Sequence, residues 1–184
     1  MLRWASSCAL VLAVLPAFGQ NRDLARVERA QVRFTSVAPL ETITAVNDGV
    51  KGVIDRADRS FAVQVPIVEF EGFNAPLQRE HFNENYLVSR TWANATFAGR
   101  IIEAVDLRAP GRHEVRAKGI LTIRGEPRER IIPCTLEVSP GGIRVQTRFA
   151  VAVADHGIRI PRVVQQKVAA VVQVDGDLYF AAGR

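Results

Sequence analysis

The sequence predicts an all-β protein: an extended antiparallel eight-stranded β-barrel with two short helices covering its ends. Three observations predict it. Turn signals recur at the spacing of long hairpin strands. Apolar and polar residues alternate between those turns. Only two short segments break the alternation with a helical pattern.

The 184-residue chain opens with Arg3, an apolar run from Cys8 to Leu15, and then Pro16-Ala17-Phe18-Gly19-Gln20, which places small residues before a cut after Gly19. Residues 1–19 are therefore expected to be a cleaved secretory signal peptide, and residues 20–184 one domain, periplasmic or secreted from a bacterium. The apolar run is short for a membrane span, and no later segment reaches its length. Cys8 lies inside the run rather than after a cleavage motif, which argues against a lipid anchor. Loss of the leader leaves Cys134 alone, so no internal disulfide is expected. Its neighbours Ile132, Pro133 and Leu136 predict a buried, inert thiol.

The formal charge is +5, and +4 without Arg3. Basic residues are scattered among acids; the densest group is Arg124, Arg128 and Arg130, interleaved with Glu126 and Glu129. No aromatic and basic platform accompanies them, which excludes nucleic acid as the expected partner.

Residues 30–37, 41–46, 50–55 and 60–69 read as shorter or less regular strands. A meander of longer ones follows over 95–106, 112–124, 128–138 and 143–154. Its turns are Ala109-Pro110-Gly111, Gly125-Glu126-Pro127 and Ser139-Pro140-Gly141-Gly142, and residues 168–180 read as the last strand. A closed barrel removes the free edges of such a hairpin series.

Alternation separates a dry face from a wet one. The dry face carries Phe61, Val63, Val65 and Ile67, then Phe97, Gly99 and Ile101, then Val115, Ala117, Gly119, Leu121 and Ile123. It continues through Ile132, Cys134, Leu136 and Val138 to Ile143, Val145, Thr147, Phe149, Val151 and Val153. The wet face carries Arg100, Glu114, Arg116, Lys118, Arg144 and Arg148. Small residues recur on the dry face at Ser36, Gly99, Ala117, Gly119, Cys134 and Thr147. A barrel filled by its own side chains needs bulk at such positions, so together they predict a cavity, although glycines also mark strand bends.

Asn74 is the expected N-cap of a helical segment over 74–87, in which Leu77, Phe82 and Tyr86 share an apolar side. Pro161 is expected to open the second, over 162–167. Within the first, Glu80-His81-Phe82-Asn83-Glu84-Asn85-Tyr86-Leu87 mixes acids, an imidazole and aromatics. His81 and Glu84 can face one cation, but zinc needs further ligands, and His113 and His156 have no ligand spacing. A nucleophile elbow, a glycine-rich phosphate loop and paired acids are all absent from the sequence. The reading is structural: Phe82 and Tyr86 face the barrel, while Glu80, Asn83 and Glu84 are solvated or bond loop backbone. Asp155 is expected to cap or brace the turn into the second helix, with Gly157 allowing positive φ. No catalytic residue, metal or cofactor is expected.

Several stretches in order, Phe34-Thr35-Ser36-Val37-Ala38-Pro39-Leu40-Glu41, Gly52-Val53-Ile54-Asp55, Glu80 to Leu87 and Ala95-Thr96-Phe97-Ala98-Gly99-Arg100-Ile101, form a known pattern. It continues through Lys118 to Gly125, Ile131-Ile132-Pro133, Phe149, Asp155-His156-Gly157-Ile158-Arg159-Ile160-Pro161 and Lys167-Val168-Ala169. With these the chain resembles the YceI-like family of lipocalin-like, polyisoprenoid-binding bacterial proteins over most of its length. The resemblance implies an extended antiparallel barrel whose apolar channel holds an isoprenoid chain or similar amphiphile, commonly in the periplasm. Many members carry an aromatic residue where this chain has His156, a histidine where it has Arg124, and Tyr-Pro where it has Trp92-Ala93.

The expected function is non-enzymatic binding, sequestration or transport of a long apolar amphiphile, isoprenoid lipid or isoprenoid quinone first. The expected lining is Phe34, Phe61, Val63, Val65, Phe82, Tyr86, Phe97, Gly99, Ile101, Ala117, Gly119, Leu121, Ile132, Leu136, Phe149 and Ile160. Pairing of two copies through an outer barrel face is a further expectation. The rival readings are a filled barrel acting as an envelope interaction module and an exported lipid-modifying hydrolase.

Overall fold

Nine strand segments form one antiparallel sheet: β1 (Leu24–Val37), β2 (Thr42–Asn47), β3 (Lys51–Asp55), β4 (Ser60–Pro66), β5 (Asn94–Ile101), β6 (Gly111–Ile123), β7 (Glu126–Ser139), β8 (Gly142–Ala152) and β9 (Val171–Ala182). The computed structural model describes residues 22–182, so the expected leader over 1–19 lies outside the described residues. Sheet order is β2-β1-β3-β4-β5-β6-β7-β8-β9, and pairing of β1 with β9 closes it. The result is the expected closed eight-stranded barrel with one extra strand.

The extra strand has a simple origin. β2 and β3 both pair antiparallel with one edge of β1, β2 along Val32–Val37 and β3 along Leu24–Arg26, in one continuous register. They are two halves of a single wall position interrupted at residues 48–50. Asn47 makes the interruption: it is 1% exposed, its Nδ2 donates to Pro66 O at 2.6 Å, and its Oδ1 accepts from Gly49 N at 2.9 Å.

The wall is unevenly sealed. β6 and β7 pair from Gly111↔Val138 to Ile123↔Glu126, whereas β7 and β8 pair only from Cys134↔Thr147 to Ser139↔Gly142. Pro133 accounts for the stop. Its carbonyl faces β8, accepting from Thr147 Oγ1 at 2.8 Å, and a strand residue directs N–H and C=O to the same side. The donor proline lacks is thus one that β8 would have used. Beyond it, Arg130 Nη2 donates to Ala150 O at 2.6 Å, and Arg124 Nη1 to Gly157 O at 2.8 Å. The fully buried His156 places Nδ1 2.9 Å from Glu126 O, which requires the proton on Nδ1. Side chains stitch this seam where a ladder would otherwise run.

The helical expectations need correction. One short helix, α1 (Pro76–His81), runs directly into a π turn, Phe82–Tyr86. Its N-cap is Ala75, in extended conformation, because Pro76 brings the φ that starts a helix. Asn74 instead donates through Nδ2 to Thr42 O at 3.0 Å, tying the helix to the start of β2. The second segment is only a 3-10 turn, Arg162–Val164. Asp155 is exposed on an earlier 3-10 turn, Val153–His156, and it is His156 that braces that turn, while Gly157 takes φ 66° as expected.

Candidate ligand-binding site

Inward-facing side chains of the wall leave a cavity of about 300 Å³ along the barrel axis. Sites for small molecules occupy roughly 300–1,000 Å³, so the volume suits a guest at the small end or one segment of a longer guest. Toward one end, Leu107 of the β5–β6 loop is 1% exposed and belongs to the same buried core as Val138, Ile143 and Phe180. At the other end stands an aromatic cluster. Phe34 from β1 stacks on Phe82 at 5.3 Å between centroids with 9° between planes, and Phe70 meets Phe34 edge-on at 5.4 Å. Phe73 completes it, 5.2 Å from Phe82. Such pairs add to their area burial, so the cluster fixes α1 against the barrel.

All the expected lining residues except two face this cavity: Phe34, Phe61, Val63, Val65, Phe82, Tyr86, Phe97, Ile101, Ala117, Leu121, Ile132, Leu136, Phe149 and Ile160. Gly99 and Gly119 do not. They sit opposite each other across β5 and β6, where the strands come so close that a Cβ on Gly99 would stand 2.0 Å from Lys118 O, and one on Gly119 2.3 Å from Ala98 O. These glycines permit a close backbone approach rather than vacate space for a guest. Room is left elsewhere, at Ala117 and along the row Cys134, Thr147 and Gly176 that crosses β7, β8 and β9.

Leu77, expected beside Phe82 and Tyr86, is 57% exposed and points away from the cluster. Phe70 and Phe73 line the cavity but stand in an irregular stretch without period, which hid them. Val172, Val174, Leu178 and Phe180 of β9 also line it, and their strict alternation was there to be read.

Titratable chemistry at the cavity is sparse. Burial pushes the Cys134 thiol above its ordinary range, and burial likewise raises the Tyr86 phenol. Both are neutral at physiological pH, as an apolar guest requires. His81 and Glu84 are exposed, and among the described residues no group of three histidine, cysteine, aspartate or glutamate side chains could hold a metal ion. A second hollow, on the outer wall, is polar, and both its aspartates are paired: Arg148 Nε lies 2.6 Å from Asp175 Oδ1, and Asp177 forms an ion pair with the neighbouring Arg144.

The pattern that defines YceI-like domains matches residues 25–180, which span the whole barrel. The chain belongs to the YceI-like family. No curated protein matches it. Among solved structures, a polyisoprenoid binding domain from Saccharophagus degradans, implicated in plant cell wall breakdown, has 15% identity and a TM-score of 0.74, covering 89% of this chain and 100% of that one. BcnA of Burkholderia cenocepacia has 16% identity and a TM-score of 0.66 over 82% of this chain and 95% of its own. The Campylobacter jejuni YceI protein aligns at 10% identity with a TM-score of 0.52, covering 100% and 99%. At such identities the likeness establishes the shared barrel. Arg124 and His156 lie at one place: each donates to backbone on the other's side of the seam.

Proposed function

We propose that this YceI-like protein binds the apolar tail of an amphiphile, an isoprenoid lipid or isoprenoid quinone, and sequesters or carries it in the bacterial envelope without chemical change. The observation that carries the reading is the axial cavity, lined by apolar side chains from around the barrel and from the aromatic closure. Burial of each methylene is worth about 0.8 kcal/mol, so ten carbons supply on the order of 8 kcal/mol before ordering costs. An ionic anchor is not needed for such a tail. The leader expected over residues 1–19 supports a periplasmic or secreted location.

Native mass spectrometry of the protein purified from its own envelope, with organic extraction of whatever it holds, tests the reading. A stoichiometric isoprenoid or quinone is the expected result. A protein that comes out empty and then takes up neither prenyl lipid nor quinone overturns it.

A further inference from the structure

The barrel end that carries α1 presents an unusual surface around the approach to the cavity. Three segments converge there. The β1–β2 turn meets the 159–168 segment through Leu40 N–H to Gln166 O at 2.8 Å, and meets the start of α1 through the Asn74 bond to Thr42 O. Each segment offers a large apolar side chain to solvent: Leu40 is 66% exposed, Leu77 57% and Val163 90%, with Val37 beside Leu40 at 68%. Apolar side chains gathered at one end are a different matter from single ones scattered over a surface.

The charge at this rim has one sign on its most exposed segment. Residues 159–168 carry Arg159, Arg162 and Lys167 and no acid. All three are exposed, and among the described residues none of them takes part in an ion pair. Of the acids at this end, Glu41 accepts from Gln78 Nε2 at 2.5 Å and Glu71 lies 3.8 Å from Arg79, while Glu80 and Glu84 stand exposed on α1 and its π turn, outside the 159–168 segment. The cavity lining reaches this same end at Gln78, Ile160 and Val168.

We propose that this rim docks on an anionic lipid bilayer, Leu40, Leu77 and Val163 entering the interface while Arg159, Arg162 and Lys167 meet anionic head groups. Apolar anchors with uncompensated cations are what binds a protein flat on such a surface, because the anchors gain burial and the cations gain attraction close to the charged plane. Docked this way, the end of the cavity reached by Gln78, Ile160 and Val168 faces the lipid, so an apolar tail passes from bilayer to barrel by displacing the aromatic cluster rather than by crossing water. The proposal deepens the lipid-binding reading and rests on it for its purpose, whereas docking is measured without any guest.

The test is sedimentation of the chain lacking residues 1–19, which retains every described strand, with vesicles of phosphatidylcholine alone or mixed with phosphatidylglycerol. Binding to the anionic vesicles, weakened by added salt, is the expected result. Leu40→Asp with Val163→Asp should abolish it with an unchanged circular dichroism spectrum, since both positions are exposed. Arg162→Gln and Lys167→Gln should each lower anionic-vesicle affinity roughly fivefold and leave the neutral baseline alone. Wild-type protein that stays in the supernatant, or an aspartate variant that sediments as well as wild type, overturns the proposal. So does sedimentation equilibrium showing a wild-type dimer that the aspartate pair dissociates, which would assign the rim to a second copy. A protein that docks but never takes up prenyl lipid would refute the lipid-binding reading while leaving the docking surface in place.

Discussion

At the scale of single residues, the most consequential positions are those with the least side chain. Gly119 looks at first like space left for a ligand, yet a methyl group there would fall 2.3 Å from Ala98 O, backbone that cannot swing aside. Gly119→Ala should therefore cost about 1–3 kcal/mol in a urea titration, the range for overpacking a tight site. Alternation alone could not distinguish this from a vacancy, because both present as a small residue on the inward face. Cys134 was legible as a buried thiol from its apolar neighbours, and the structure adds the cause of its inertness: burial holds the thiol protonated well above neutral pH. The native protein at pH 8 should react with a thiol reagent far more slowly than the unfolded chain. Equal rates would show that the β7 wall opens readily at this point. His156 was the residue least readable in advance. Its loop context concealed complete burial and the single bond that orients it.

At the scale of elements, long hairpins were readable and irregular segments were not. β6, β7 and β8 emerge from the sequence within a few residues of their bounds because one face is uniformly apolar. Alternation places the start of β1 at Ala30, whereas the strand begins at Leu24. A bulge between Val27 and Arg29 shifts the phase, so Ala25 and Val27 face inward on one parity and Ala30, Val32 and Phe34 on the other. A rule of period two finds only the second half of such a strand. The short helix was legible as helix but not in its ending, since the π turn inserts one residue and rotates Phe82 and Tyr86 relative to Leu77. Phe82 holds this element through contacts with Phe34, Phe70 and Phe73. Phe82→Ala should destabilise by about 2–3 kcal/mol, less than for a fully buried phenylalanine because Phe82 is half-buried. Faster amide exchange over residues 76–87 should accompany it. Protection there that matched wild type would mean the aromatic cluster does not anchor α1.

At the scale of the whole molecule, two quantities test the barrel as a unit. Ala117 faces the cavity beside Ile101 and Ile132, so Ala117→Phe should narrow it. Uptake of a prenyl lipid should fall at least tenfold, while cooperative thermal unfolding persists. Undiminished uptake by a folded variant would place the guest elsewhere. The second quantity is the pH dependence of stability. Asp23 accepts from Arg108 Nε at 2.8 Å and also pairs with Arg56, tying the start of β1 to both flanking loops. The hydrogen bonds from Arg108 and Arg56 hold its carboxyl below the ordinary value of 3.8. A depressed carboxylate contributes stability above its unfolded pKa and loses that contribution as pH falls through the folded one. Asp23→Asn should therefore lower Tm at pH 7 and converge on wild type under strongly acidic conditions; a constant offset would exclude the ion pair as the cause. The stitched boundary between β7 and β8 bears on the barrel as a mechanical object. A ring of continuous ladders has a fixed circumference, whereas this ring is split along part of its height and fastened by Thr147, Arg130, Arg124 and His156. Releasing those few fasteners would break no strand ladder, so the girth there is set by four side chains rather than by paired backbone.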